Sequence, residues 1–179
     1  MKHWLPNAIG FQMVWICAVA GAAKGLWWAG PLALAAFATW QLSTSVQPRV
    51  DAQLMLGSAL VGFGIDTLWI QAGLMRFVAP LPWDTVAPVW IVAMWMGFAL
   101  TLNHSLATLK RHLVWAAVLG IVGGPLAYAA AGRAWQAVQL SEPNWIPYAA
   151  LALAWGLVTP ALLFAARRLS AAPQRVALP

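Results

Sequence analysis

Thr101, Asn103, His104 and Ser105 stand near the end of a long apolar stretch, Pro88 to Leu109, and form the densest polar group inside any apolar run of the chain. Neutral histidine donates through one ring nitrogen and accepts through the other, and asparagine does both through its amide. Such a group could support proton transfer at His104, with Asn103 and Ser105 holding a ligand. The competing reading is a hydrogen-bond cluster between helices, and the residue types favour it over catalysis. Asn103 and His104 are adjacent, hence about 100° apart on a helix, and are not expected to face one partner squarely.

Asp66 is the only acid well inside an apolar run. A carboxylate at the centre of a bilayer costs about 2.5–3.5 kcal/mol on insertion scales, so its presence suggests a function. Rise along a helix places Asp66 roughly 21 Å above the edge of its span at Ala52, and His104 within about 8 Å of that edge. A hydrogen bond needs about 3 Å, so the two are read as separate sites. Tyr128 is expected at the depth of Asp66 and within its reach. The catalytic candidates are therefore His104, Asn103 and Asp66. The ligand-binding candidates are Asp66, Tyr128, Asn103, His104 and Ser105. His3, His104 and His112 share no ligand spacing and Cys17 is the single cysteine, so no metal site, cofactor or disulfide is expected.

These side chains need elements to hold them. The chain is 63% hydrophobic and 8% charged, with mean hydropathy +0.75, whereas soluble domains carry about 25% charged residues. That composition implies a polytopic membrane protein. The net charge of +6 resides at the ends of apolar runs, where anionic headgroups attract it, and no basic stripe points to nucleic acid. Six runs are long enough to read as spans: Leu5 to Ala23, Pro31 to Ser45, Ala52 to Gly73, Pro88 to Leu109, Leu113 to Ala131 and Tyr148 to Ala166. The expected fold is all-α, with six transmembrane helices in one bundle over residues 1–169 and a disordered tail over 170–179. Lys2 before the first run resembles a secretory signal, but Asn7, Gln12 and Trp15 favour a retained span. Ser43 to Gln53, including Asp51, reads as a loop, as do Arg76 to Asp84 and Arg133 to Pro147. Pro125 and Pro160 are expected to bend or break the last two spans at mid-depth. An echo between Gly30-Pro31-Leu32-Ala33 and Gly124-Pro125-Leu126-Ala127 is attributed to composition rather than to an inverted repeat.

Six spans put both termini on one side, together with Lys2, Arg49, Lys110, Arg111, Arg167, Arg168 and Arg175; these are seven of the ten cations. By the positive-inside rule both termini are cytoplasmic.

Gly64-Ile65-Asp66, Thr101-Leu102-Asn103-His104-Ser105, Gly123-Gly124-Pro125-Leu126-Ala127-Tyr128 and the early Asn7 and Gln12 before Gly21-Ala22-Ala23-Lys24-Gly25 together resemble a family of small bacterial inner-membrane proteins catalogued as a domain of unknown function. The resemblance runs to about Leu169. It implies a polytopic inner-membrane protein without an assigned activity, cofactor or catalytic residue. It also implies a setting beside fatty-acyl-modifying enzymes, so membrane lipids and lipid-modifying enzymes are the expected partners. The small size is compatible with a homo-oligomer. Three functions stay open: an accessory factor in membrane-lipid metabolism, ranked first; a small transporter using Asp66; and a lipid-active enzyme using His104.

Overall fold

The structure, a computed structural model, describes residues 4–171. Its helices are α1 (Trp4–Ala23), α2 (Ala29–Thr44), α3 (Pro48–Gln71), α4 (Val89–Ala99), α5 (Leu113–Trp135) and α6 (Trp145–Ala171). The expected tail begins inside α6 and otherwise lies outside the described residues, as do Lys2, His3 and Arg175. The fold is all-α in its bulk. Four helices, α1, α3, α5 and α6, are long and apolar enough to cross a membrane. At 16 and 11 residues, α2 and α4 are shorter.

The exposed surface is apolar. Leu60 is 75% and Val114 76% exposed on the outer faces of α3 and α5, which water would penalise and lipid tails would not. The short α4 lies at the centre, packed against α1, α2 and α3, and buries Trp90, Ile91, Ala93, Trp95, Gly97 and Ala99. A helix covered on all sides by its neighbours needs no long lipid-facing surface of its own.

Residues 88–111 do not form the continuous span that hydropathy predicts. α4 ends at Ala99, tight turns follow to Leu106, and a 3₁₀ turn covers Ala107–Arg111. Side chains take over the backbone groups that a helix would have paired. Asn7 Nδ2 donates to Leu100 O at 3.0 Å, and Ser105 N–H donates to Asn7 Oδ1 at 3.2 Å. Thr101 Oγ1 donates to Phe98 O at 2.6 Å, the local competition that hydroxyl side chains offer a helix.

The prolines act less strongly than expected. α5 runs through Pro125 and α6 through Pro160 as single helices. They are the most extensively packed pair, and Gly120 and Gly124 let α6 come close: a Cβ on Gly120 would stand 2.1 Å from Trp155 O. Close approach of small residues is the usual way helices adhere in lipid. At the far end, two stretches expected to be plain loops pair as antiparallel strands, β1 (Met75–Phe77) with β2 (Val138–Leu140), joining Arg76 to Gln139. This ladder ties the 72–88 segment to the α5–α6 connection.

Candidate functional site

The polar cluster gathers where α2 ends, α3 begins and α4 unwinds. Its centre is Asp51, which sequence reading left in a loop. Pro48 opens α3, its missing N–H costing nothing in a first turn. This puts Asp51 one turn inside, a favourable place for a carboxylate against the helix dipole. The residue is completely buried. Ser45 Oγ donates to Asp51 Oδ2 at 2.6 Å, Asn103 Nδ2 donates to Oδ1 at 2.8 Å, and His104 Nε2 lies 2.8 Å from Oδ2. Asn103 and His104 thus do meet one partner. The 100° separation applies to a helix, and the backbone here is not helical.

Further polar side chains close around these donors. Lys110 Nζ and Ser170 Oγ both donate to Asn103 Oδ1, at 2.8 and 3.2 Å. Burial pulls the Lys110 ammonium below its ordinary lysine range, and the Asp51 charge pulls it back up. On the other side, Asn7 Nδ2 donates to Gln41 Oε1 at 2.7 Å, and Gln41 Nε2 lies 3.2 Å from His104 Nε2. Asn7 and Gln41 are buried at 0% and 3% exposure, whereas the His104 side chain is 17% exposed.

The amide orientations are mutually fixed. Asn7 must offer its NH₂ to Leu100 O and its oxygen to Ser105 N–H. Gln41 Oε1 must then accept from Asn7, which turns the Gln41 NH₂ toward His104 Nε2. An ionised Asp51 offers only acceptors, so it favours a proton on Nε2 and leaves the lone pair of the neutral ring on Nδ1. Gln41 favours an Nε2 without its proton. The imidazole therefore sits between a group that holds the ring proton and a group that stabilises its departure. Nδ1 makes no hydrogen bond among the described residues.

Asp66 belongs elsewhere. It lies fifteen residues beyond Asp51 on α3, or roughly 22 Å along the axis. Tyr128 OH donates to its Oδ1 at 2.5 Å and Trp95 Nε1 to its Oδ2 at 2.7 Å. The structure therefore brings Tyr128 to Asp66, and keeps both far from Asn103 and His104. Both carboxyl oxygens are occupied and the residue is fully buried, an arrangement that latches α3 to α4 and α5. Ser105 contributes its backbone N–H and borders a cavity instead of joining the Asp51 group. Among the described residues, no group of three or more His, Cys, Asp or Glu could hold a metal.

Asp66→Asn should lower thermal stability in detergent by about 1–3 kcal/mol, because one of two buried donors would then face an NH₂. Its effect should add to that of His104→Gln within about 0.3–0.5 kcal/mol, as for distant sites without shared partners. Unchanged stability would mean the latch carries no weight.

A family model described as a protein of unknown function (DUF2878) matches residues 4–161. The chain belongs to that family. The matched range contains Asn7, Gln41, Asp51, Asp66, Asn103, His104 and Tyr128; Ser170 lies beyond it. No curated protein and no solved structure matches the chain.

Sequence reading missed Asp51, Ser45, Gln41 and Lys110. The depth arithmetic that placed His104 near the Ala52 edge places Asp51, one residue before Ala52, at the same level. That signal was present and pointed to the pair.

Proposed function

We propose that this family member is a multi-pass membrane protein that performs acid–base chemistry on a membrane lipid at Asp51 and His104. The observation that carries the reading is the wholly buried Asp51 carboxylate 2.8 Å from His104 Nε2. An orienting carboxylate on one ring nitrogen leaves the other to take a proton from a bound molecule. Lys110, bonded to Asn103, places a cation beside the pair for a phosphate-bearing headgroup. The transporter reading draws less support, since both oxygens of Asp66 are engaged by internal donors. An accessory role in lipid metabolism would use the same surface without turnover.

In this reading all six helices cross the membrane, α4 within the shelter of the bundle and α2 with Leu32 and Trp40 facing lipid. Among the described residues, Arg49, Lys110, Arg111, Arg167 and Arg168 lie at the Asp51 end and Lys24, Arg76 and Arg133 at the other. Five cations against three support an orientation with the Asp51 end, and both termini, on the cytoplasmic side of a bacterial inner membrane. In a Cys17→Ala background, an impermeant thiol reagent added outside should label a cysteine at Thr85 and spare one at Thr108. The reverse labelling pattern would overturn the orientation.

Function is tested by the lipid composition of a deletion strain. Complementation with the parent protein should restore the parental composition, and complementation with His104→Gln should not. Restoration by His104→Gln would remove the acid–base reading.

A further inference from the structure

We infer that the cavity bounded by α1, α4, α5 and α6 holds one acyl chain of a membrane glycerophospholipid, with the headgroup at the Asp51–His104 end. This names the substrate class of the proposed acid–base site and rests on that reading only for what happens to the headgroup.

The cavity has a volume of about 650 Å³, within the roughly 300–1,000 Å³ of sites that enclose a small organic molecule. Its walls include Phe11 and Trp15 from α1, Phe98 from α4, Gly123 from α5 and Trp155 from α6, and none of its lining residues is charged. An ion or a charged solute would lose its hydration there without compensation. The α1 wall alone runs from Trp4 to Trp15, roughly 16 Å along the axis. Three of the four surrounding helices, α1, α5 and α6, are long and apolar enough to cross a membrane, so the medium that meets the cavity is lipid tails.

The aromatic wall is built rather than left over. Trp95 and Trp155 stack at 4.3 Å and 10°, and Phe98 meets Trp155 edge-on at 5.4 Å. This fixes the rings side by side and stops them from collapsing into the space. One end of the cavity is marked by Thr101, Ser105 and Leu106. His104 is next to Ser105 in the chain, and Lys110 and Arg111 follow within the 3₁₀ turn. An uncharged shaft that ends beside cations and a histidine matches a lipid tail that ends in a phosphate-linked headgroup.

Gly123 provides the test. A Cβ there would meet only Leu119 Cδ1, at 3.9 Å, so a larger side chain can enter the cavity without displacing backbone. Gly64, with nothing near its Cβ and outside the cavity, is the matched control. The full chain would be reconstituted in nanodiscs of palmitoyl-oleoyl phosphatidylglycerol, extracted in mild detergent and weighed by native mass spectrometry. The parent and Gly64→Phe should each carry one lipid, and Gly123→Phe should lose at least tenfold of that adduct. If Gly123→Phe does not assemble, Ala8→Phe fills the cavity from the α1 wall and should give the same loss. Retention by the plugged variants, loss in Gly64→Phe as well, or no adduct on the parent would overturn the assignment. His104→Gln should keep the adduct. An adduct retained by His104→Gln, with lipid composition in cells restored by that variant, would reject the acid–base reading and leave the cavity assignment standing.

Discussion

Asp51→Ala should destabilise the protein by about 3–5 kcal/mol, because the donors that bond this buried carboxylate would each lose their acceptor at about 1–3 kcal/mol apiece. Three donors converge on this carboxylate from two different segments: Ser45 after α2, and Asn103 and His104 from the turns after α4. Removing the acceptor leaves all three donors without the carboxylate that orients them. The Lys110 and Ser170 contacts to Asn103 would then lose the group that orients the asparagine. Thermal unfolding in detergent, followed by tryptophan fluorescence, reads this directly. Asp51→Asn should cost less than Asp51→Ala, since the isostere keeps one acceptor for Ser45 or Asn103. Equal stability of the parent and Asp51→Ala would show that the cluster does not hold these segments together.

The second large effect is expected at Gly120→Ala. The added Cβ would lie 2.1 Å from Trp155 O and 2.8 Å from Thr159 Oγ1. A backbone carbonyl inside a helix cannot swing aside as a side chain can, so α5 and α6 must separate along their closest contact. Overpacking in a well-packed core costs roughly 1–3 kcal/mol and sometimes more; here the loss should reach or exceed the top of that range. Gly123→Ala, three residues along the same helix, should cost no stability, because its Cβ meets only Leu119 Cδ1 at the ordinary contact distance of 3.9 Å. A similar loss at both positions would mean that the close approach of α6 at Gly120 does not set the outcome, since helix propensity alone favours alanine over glycine at either position.

The elements were largely legible because hydrophobic runs of this length have few other uses. The helix start at Leu113 and the loops around Lys24 and Pro82 follow from composition and turn chemistry, whereas α3 starts at Pro48, four residues before the expected Ala52. The Asp66–Tyr128 contact was also readable, since rise along α3 and α5, which run in the same direction, puts both at one depth. What could not be read was the unwinding after Ala99. Hydropathy continues past that point, and the cause is Asn7, more than ninety residues earlier, whose amide takes Leu100 O and the Ser105 N–H. A side chain so distant in sequence leaves no periodic trace. Read as one continuous helix, the stretch puts Asn103 and His104 on different faces; Asp51 reads as a loop residue for a separate reason, the polar composition of Ser43 to Gln53. The β1–β2 ladder was missed for a similar reason: three-residue strands carry too little alternation to stand out from a loop.

The most direct measurement of the central claim is a double-variant cycle on lipid composition in cells lacking the native protein. Asp51→Asn, His104→Gln and the pair would each be expressed at matched, assembled levels, with membrane lipids quantified by mass spectrometry. Residues that act as one unit lose the same activity singly and together. The account predicts that either substitution abolishes the protein's effect on lipid composition and that the double variant loses nothing further. A parental lipid composition in cells carrying Asp51→Asn, or losses that multiply between the two positions, would contradict it.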